Sequence, residues 1–547
     1  MAKVSGGVNS NFIVNQSMNQ EQFRDPFSWV LLGNITVKFL DLSLPFTFSF
    51  SNAGRSYTQP FNMTAVHPTY KNWKTHLGIT SMNFSQYTYS GMNFTGAGVE
   101  YSPKKWNFKA FGGRLKKAIE YDADVDNVNT VSYSRMGFGF GTEYKGKKFG
   151  SELLLFKAYD NAKSLDFYHN NPELTAKDNI VVSLKGNVSL FKGLRLKGEI
   201  ATSFLTRDIL SVSEKEARPF YSSLIQGNNT SVVRNAYNGS IDYKKKTFGI
   251  GLKYERIDPE YSTLGAVYFN NDLENITLNP RFSLWKNKIN LALSAGVQKN
   301  NLDATNASES KRWVGSATLS AQLIKGMGIS ASYSNLSSFS RRNPTADPFY
   351  TPFGDTLNYY QTSENFSGSI NYTMGEDIKQ SIVLTGSYSK SQNITGRLED
   401  AAAFGFNVDE SGNEVPIDVY NGVVSQMFQF TKKKFSIGWM ANANHTVALG
   451  MTNSFIGPGV NASTSLLDKK MSLNLGSTYN RQYTNAALAN HVVNFRLGMR
   501  YSPEIWDKKY GKLSMSLNGN WTNRLSVVNV PNRQNITIIA NLAYQIQ

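Results

Sequence analysis

Hydrophobic and polar residues alternate one for one along much of this chain. Residues 511–523 read GKLSMSLNGNWTN, with Leu513, Met515, Leu517 and Trp521 on one side of an extended strand and Ser514, Ser516, Asn518 and Asn520 on the other. Residues 535–546 place Ile536, Ile538, Ala540, Leu542, Tyr544 and Ile546 on one face, and 288–298 do the same with Ile289, Leu291, Leu293, Ala295 and Val297. The pattern recurs at 180–190, 247–255, 275–285, 311–323 and 491–501. The runs last nine to thirteen residues. Strands of soluble domains usually have about five or six, whereas a tilted strand that crosses a bilayer needs about nine to eleven. A soluble sandwich would hide the greasy face against a second sheet, but its strands seldom run this long.

Short turns alternate with long polar connections. The short ones are SPKK (102–105), KGKK (145–148), FKG (191–193), KKK (244–246), WKNK (285–288), IKG (324–326), GED (375–377), TKKK (431–434), LDKK (467–470) and SPEIWDKK (502–509). Longer connections include 115–132, 159–178, 207–232, 339–360 and 392–420. This rhythm predicts an all-β fold: one transmembrane antiparallel β-barrel over 1–547, with tight Lys-rich periplasmic turns and long outer loops. The greasy face then meets lipid and the polar face lines a lumen. A closed barrel leaves no backbone group unpaired in the lipid. Ten hairpins, a further hairpin at 31–39 and 43–52, a strand at 6–17 and a last strand give about 24 strands, within a range of 22–26. No run of about 18 apolar residues suggests a spanning helix, and MAKVSGGVNSNF lacks the apolar centre of a secretory signal.

Charge sharpens this picture. The 57 basic residues exceed the 40 acidic ones by 17. Nineteen Lys lie in the ten short turns, where basic residues gain from anionic lipid headgroups. They do not interleave with aromatics as a single-strand nucleic-acid groove requires, so no nucleic-acid partner is expected. A second set of charges falls on the polar side of strands: Lys185, Arg195, Lys197, Glu199, Lys253, Arg281, Arg496 and Arg500. A charge facing lipid at the midplane costs roughly 2–4 kcal/mol, so these are candidate lumen charges. Either they pair with Glu143, Glu199 and Glu255 to stiffen the barrel, or they make an anion-favouring pore.

Candidate chemistry is sparse. With no Cys, neither a disulfide framework nor a thiolate metal site exists. The five His (His67, His76, His169, His445 and His491) lack the i, i+4 spacing of a helical zinc motif, and His67 and His76 have no carboxylate cluster in sequence. His445 stands near Ser454, with nothing in sequence to orient it. GFGFGTEYKG (137–146) lacks phosphate-loop or dinucleotide spacing, and alternate Gly in a strand marks close packing or a bend. No catalytic, cofactor or metal residues are assigned.

Residues 24–101 depart most from plain alternation. They contain RDPFSWVLLGNITVKF (24–39), LPFTFSFS (44–51), QPFNMTAVHPTYKNWKTHLGITSMNFSQYTYSG (59–91) and GAGVEYSP (96–103), and YSTLGAVYFNNDLENITLN follows at 261–279. The set resembles a group of large outer-membrane barrel proteins of the Bacteroidota, in which RDPF, QPFN, PTYK–W and FSxYTxSG segments come in this order. The resemblance implies residence in the outer membrane of a Gram-negative bacterium, contact with outer-membrane lipid, and protein partners in an envelope complex. It brings no catalytic residues. No plug domain of the TonB-dependent kind precedes the first strand, so an energised importer is not expected.

The segment 57–93 is the odd piece. Strand parity allows it an even number of crossings only, and Pro60 and Pro68 make 59–70 a poor central strand. Its aromatics, Phe61, Tyr70, Trp73, Phe84, Tyr87 and Tyr89, are too many for a loop in water. The segment is therefore expected to fold into or over the barrel mouth instead of forming a pair of membrane strands. The functional expectation is a non-enzymatic barrel: a channel-like or scaffold subunit of an envelope transport, export or assembly complex. A free-standing passive porin and a barrel hydrolase are its rivals.

Overall fold

A computed structural model gives the fold, and it describes every residue except 1, 20–24, 53–61, 122–130, 166–173, 212–226, 267–270, 304–310, 336, 342–357, 394–415, 449, 504–510, 528–531 and 547. The alternating runs form strands as their period dictates, and consecutive strands pair antiparallel. Twenty-nine segments make one continuous sheet. Three wall strands are each broken by two residues into halves: Met63–Val66 with Thr69–Tyr70, Leu273–Leu278 with Arg281–Leu284, and Met327–Ser334 with Ser337–Arg341. Counting each as one strand, the described wall is a closed barrel of 26 strands. At about 4.8 Å between strands and a tilt near 40°, such a barrel is about 50 Å across.

Closure joins the first strand to the last. Lys3–Met18 pairs with Arg533–Ile546 from Gly6↔Ile546 to Met18↔Gln534. The seam's inner face is an asparagine row, in which the Asn541 amide donates to Asn9 Oδ1 and Asn11 Oδ1, both at 2.7 Å. Its outer face carries Phe12, Val14, Ile538 and Leu542, all exposed. Elsewhere the outer face bares Leu184, Ile200 and Val460 at 56, 55 and 60 %. Pairing keeps the two sets apart: Leu517 stands beside Met499, and Asn520 beside Arg496.

The two strands beyond 24 come from the odd segment. Residues 63–70 and 73–80 are a wall hairpin, paired with Leu42–Ser51 on one side and Phe94–Tyr101 on the other. The expectation that 57–93 forms no membrane strands is therefore corrected for 63–80. Pro68 is tolerated because it deletes a single ladder donor. Its carbonyl still accepts from the Thr75 amide at 2.8 Å, the His67 amide donates to Pro45 O at 2.8 Å, and the register continues unchanged. Tyr70 and Trp73 lie on the outer face beside the short turn of this hairpin, where Trp73 stacks on Tyr101 at 4.2 Å, so neither belongs to a constriction. Phe61 lies outside the described residues, as do most of the long connections.

Wall height is uneven. Trp73–Thr80 and Phe94–Tyr101 have 8 residues each, whereas Asn358–Met374 and Ile378–Asn393 have 17 and 16. The low stretch of wall is where the chain turns inward.

Candidate functional site

The connection from Thr80 to Phe94 folds against the inner wall. Its local shape comes from short polar side chains. The Ser85 amide donates to Thr88 Oγ1 at 3.1 Å, the Tyr87 amide to Ser85 Oγ at 3.1 Å, and the Thr88 amide to Ser85 O at 3.1 Å. These bonds make a tight Ser/Thr turn. Gly91 follows at φ +71° with open space around it, so glycine is used there for backbone conformation alone.

This turn drives aromatics into the wall. Tyr87 and Tyr89 are 0 % exposed. Met82, Phe84, Tyr89, Met92 and Phe94 pack with wall residues Phe111, Leu154, Phe156 and Val181. Tyr89 lies 4.6 Å from the Phe111 ring and 5.7 Å from the Phe156 ring. Fully burying one such apolar side chain contributes about 1.5–3 kcal/mol. The fold's largest apolar clusters therefore lie inside the barrel, on its lumen face.

Alternate glycines make the room. Gly137, Gly139 and Gly141 face the lumen, while Phe138 and Phe140 face outward. A Cβ on Gly139 would come 2.3 Å from Phe111 Cε1 and 3.0 Å from Phe84 Cζ, and one on Gly98 would come 2.4 Å from Met82 Sδ.

A second stretch completes the packing. Tyr261 OH donates to Tyr87 O at 2.7 Å, across 174 positions of chain, and Thr263 Oγ1 donates to Thr88 O at 2.5 Å. Gly265 and Ala266 pair in parallel with Tyr89 and Ser90. The Leu264 amide donates to the buried Asn179 Oδ1 at 3.0 Å. Two motifs far apart in sequence, FSQYTYSG and YSTLGA, thus meet inside the barrel.

Charged wall residues hold the segment by its polar atoms. Lys109 Nζ donates to Asn83 O at 2.8 Å and Lys185 Nζ to Phe84 O at 2.9 Å, while both also pair with Glu152, at 2.7 and 3.1 Å. Ser85 Oγ and Ser183 Oγ both donate to Glu199 Oε1. Tyr87 OH donates to Glu255 Oε1 at 2.7 Å, Gln86 Nε2 to the same oxygen at 3.1 Å, and Lys253 pairs with Glu255 Oε2 at 2.8 Å. Burial, helped by Glu255, pushes the Tyr87 phenol up, and burial does the same for Tyr261. Both phenols are neutral donors at ordinary pH.

The sequence-predicted residues thus divide. Lys185, Glu199 and Lys253 stand at the segment's anchors together with Phe84, Tyr87 and Tyr89. Arg195, Lys197, Arg281, Arg496 and Arg500 fall on lumen-facing positions and are exposed, and among the bonds of the described residues none joins them to the segment, although Lys197 stands two residues along the strand from Glu199. Sequence reasoning missed Glu152, Asn179 and Tyr261. A signal for the packed wall was present: LLLF at 153–156 and IVV at 180–182 break the alternation, as strands buried on both faces do.

Across the barrel the inner wall is lined by short polar side chains. A cavity of about 390 Å³ lies along a wall of Thr318, Ser330, Ser332, Ser367, Ser369 and Thr385. Hydroxyls there bond one another, Ser330 to Ser369 and Ser332 to Ser367, both at 2.7 Å.

The histidines are more organised than their sequence suggests. His67 Nδ1 and His76 Nδ1 are 3.2 Å apart, and His76 Nε2 is 2.7 Å from Glu100 Oε1. His445 Nδ1 is 2.7 Å from Ser454 Oγ on the outer face, with no carboxylate bonded to the His445 ring among the described residues. Among those residues, too, no group of three or more His, Asp or Glu side chains is placed to hold a metal ion.

No family model matches this chain, and no curated protein matches it. Solved barrels do. The P pilus usher (PapC) translocation pore is 9 % identical with a TM-score of 0.39, each chain covered over 100 % of its length. The copper transporter OprC is 9 % identical with a TM-score of 0.40, over 100 % of this chain and 80 % of that one. OccAB2 of Acinetobacter baumannii is 9 % identical with a TM-score of 0.28, over 68 % of this chain and 93 % of that one. At these scores the likeness adds nothing to what strand pairing establishes: a large closed antiparallel barrel.

Proposed function

We propose that this chain is a channel-like barrel of the outer membrane of a Gram-negative bacterium, narrowed by its own segment 81–94, and that it serves as a subunit of an envelope transport, export or assembly complex. One observation carries the reading: the apolar core lies on the lumen side of the wall, so the segment is built into the conduit. The bared outer face supports a lipid surround, because water-facing proteins seldom leave more than a few hundred Å² of apolar surface contiguous. No helix among the described residues is long and apolar enough to cross a membrane, a fact that says nothing of strands.

The test is conductance in a planar bilayer. Replacing 82–93 by a short Gly/Ser link leaves all wall strands in place and is expected to raise single-channel conductance. Unchanged conductance in a variant that still shows the heat-sensitive gel mobility of a folded barrel overturns the constriction. A free-standing passive porin is the second reading, favoured by the polar Ser/Thr wall. Native purification in mild detergent separates the two, since a complex subunit brings stoichiometric partners and a porin brings none.

A further inference from the structure

We infer that His67 and His76 form an inner-shell pair for a divalent transition-metal ion of the imidazole-binding class, such as Zn²⁺ or Cu²⁺. The two residues stand directly opposite each other in the hairpin 63–80, between the Val66↔Leu77 and Thr69↔Lys74 pairs. Both lie on the inner side of the wall, and His76 is buried there. Their Nδ1 atoms are 3.2 Å apart, with ring planes at 76°. Two nitrogens each about 2.0–2.1 Å from a tetrahedral ion stand roughly 3.3 Å apart. The spacing in the protein is close to that value.

Glu100 supplies the second observation. Its Oε1 lies 2.7 Å from Nε2 of His76, a side chain only 4 % exposed. A carboxylate there holds the proton on Nε2, which turns the Nδ1 lone pair toward His67. Metal-ligating histidines characteristically carry such a carboxylate on their far nitrogen, where it fixes the tautomer and raises ligand basicity. Glu100 itself is steadied by Lys74 at 3.6 Å. The inner shell is two imidazoles, with water completing it. Met82 Sδ lies over Gly98, the residue directly across from His76 on the neighbouring strand.

The position gives the ion a structural task. Pro68 interrupts one strand of the hairpin immediately after His67, and the other strand leads within a few residues to the luminal segment. An ion shared by His67 and His76 staples the hairpin at the interruption and steadies the root of that segment. The inference stands whether or not the segment narrows a conduit.

The experiment uses the whole barrel in detergent, titrated with Zn²⁺ against a chromophoric chelator, and with Cu²⁺ under electron paramagnetic resonance. Wild type is expected to take up one Zn²⁺ more per chain than the His67→Ala/His76→Ala double variant, and its Cu²⁺ spectrum to show nitrogen coupling that the double variant lacks. Glu100→Gln keeps both ligands and is expected to weaken binding about 10–100-fold. Equal uptake by wild type and double variant overturns the inference and leaves an ordinary imidazole hydrogen bond. If the double variant does not fold, Glu100→Gln decides: unchanged affinity overturns the inference, and graded loss supports it.

Discussion

Two sectors of one wall use the same strand geometry to opposite ends. From Trp106–Lys116 to Phe248–Ile257 the lumen face carries an apolar core packed under residues 81–94 and bordered by Lys109, Glu152, Lys185, Glu199 and Glu255. From Lys311–Ala321 to Ile417–Phe430 it is a field of Ser, Thr and Asn on which no described segment packs. Both sectors present apolar residues outward. The difference lies in the inner face alone, and it follows from what the connecting segments bring to it. A wall strand with a partner on both faces is a core strand. One with lipid outside and water inside obeys strict alternation.

The comparison can be broken by mutation, most sharply at the aromatic core. Tyr261→Ala removes a ring buried at 0 % exposure, together with its bond to Tyr87 O. The expected loss is about 3–5 kcal/mol of local stability. Hydrogen exchange reads it as lost protection of amides in 81–94, with the far sector unchanged. Equal loss in both sectors would mean that the segment and the wall unfold as one unit.

A smaller effect is expected from glycine. Gly139→Val forces a branched side chain into the space held by Phe111 and Phe84 and is expected to cost about 1–3 kcal/mol. Gly476→Val makes the same change on strand Met471–Thr484, away from the packed sector, where a Cβ finds its first neighbour at 3.8 Å. It is expected to change stability by less than about 0.5 kcal/mol. Urea midpoints of the two variants measure the gap.

The smallest effect sharpens the contrast from the other side. Ser332→Ala deletes one hydroxyl of a water-facing pair and is expected to stay within about ±0.5 kcal/mol. A larger shift in the same urea series would mean that the polar wall holds structure of its own.

Alternation made the outer face, the barrel and most strands legible, because period two and the lipid impose the same pattern on every spanning strand. It failed at 63–70 for a local reason. Pro68 reads as a strand breaker, yet its place in the ladder removes only one donor. The aromatics of 57–93 were read as one cluster, although of the described ones Tyr70 and Trp73 face outward while Phe84, Tyr87 and Tyr89 turn in. Which aromatics turn in depends on Tyr261 and Thr263, contributed by a distant connection that no local window contains. Glu100 escaped notice near His76 for the same reason, since strand pairing and not sequence spacing brings it there.

The seam between Lys3–Met18 and Arg533–Ile546 has a consequence for how the molecule comes into being. Ser17 Oγ bonds Asn535 Oδ1 across 518 positions, so the bond that makes the sheet endless joins residues from opposite ends of the chain. Until that pairing forms, the nascent sheet carries two raw edges with unpaired donors and acceptors, each a template for any strand nearby. Such long-range pairing is also the slowest kind, because it forms only after a large entropy of loop closure has been overcome. Assembly is therefore most exposed to mispairing at its last step. A synthetic peptide with the sequence of 533–546, added during refolding, competes for the Lys3–Met18 edge by strand addition and traps the barrel open.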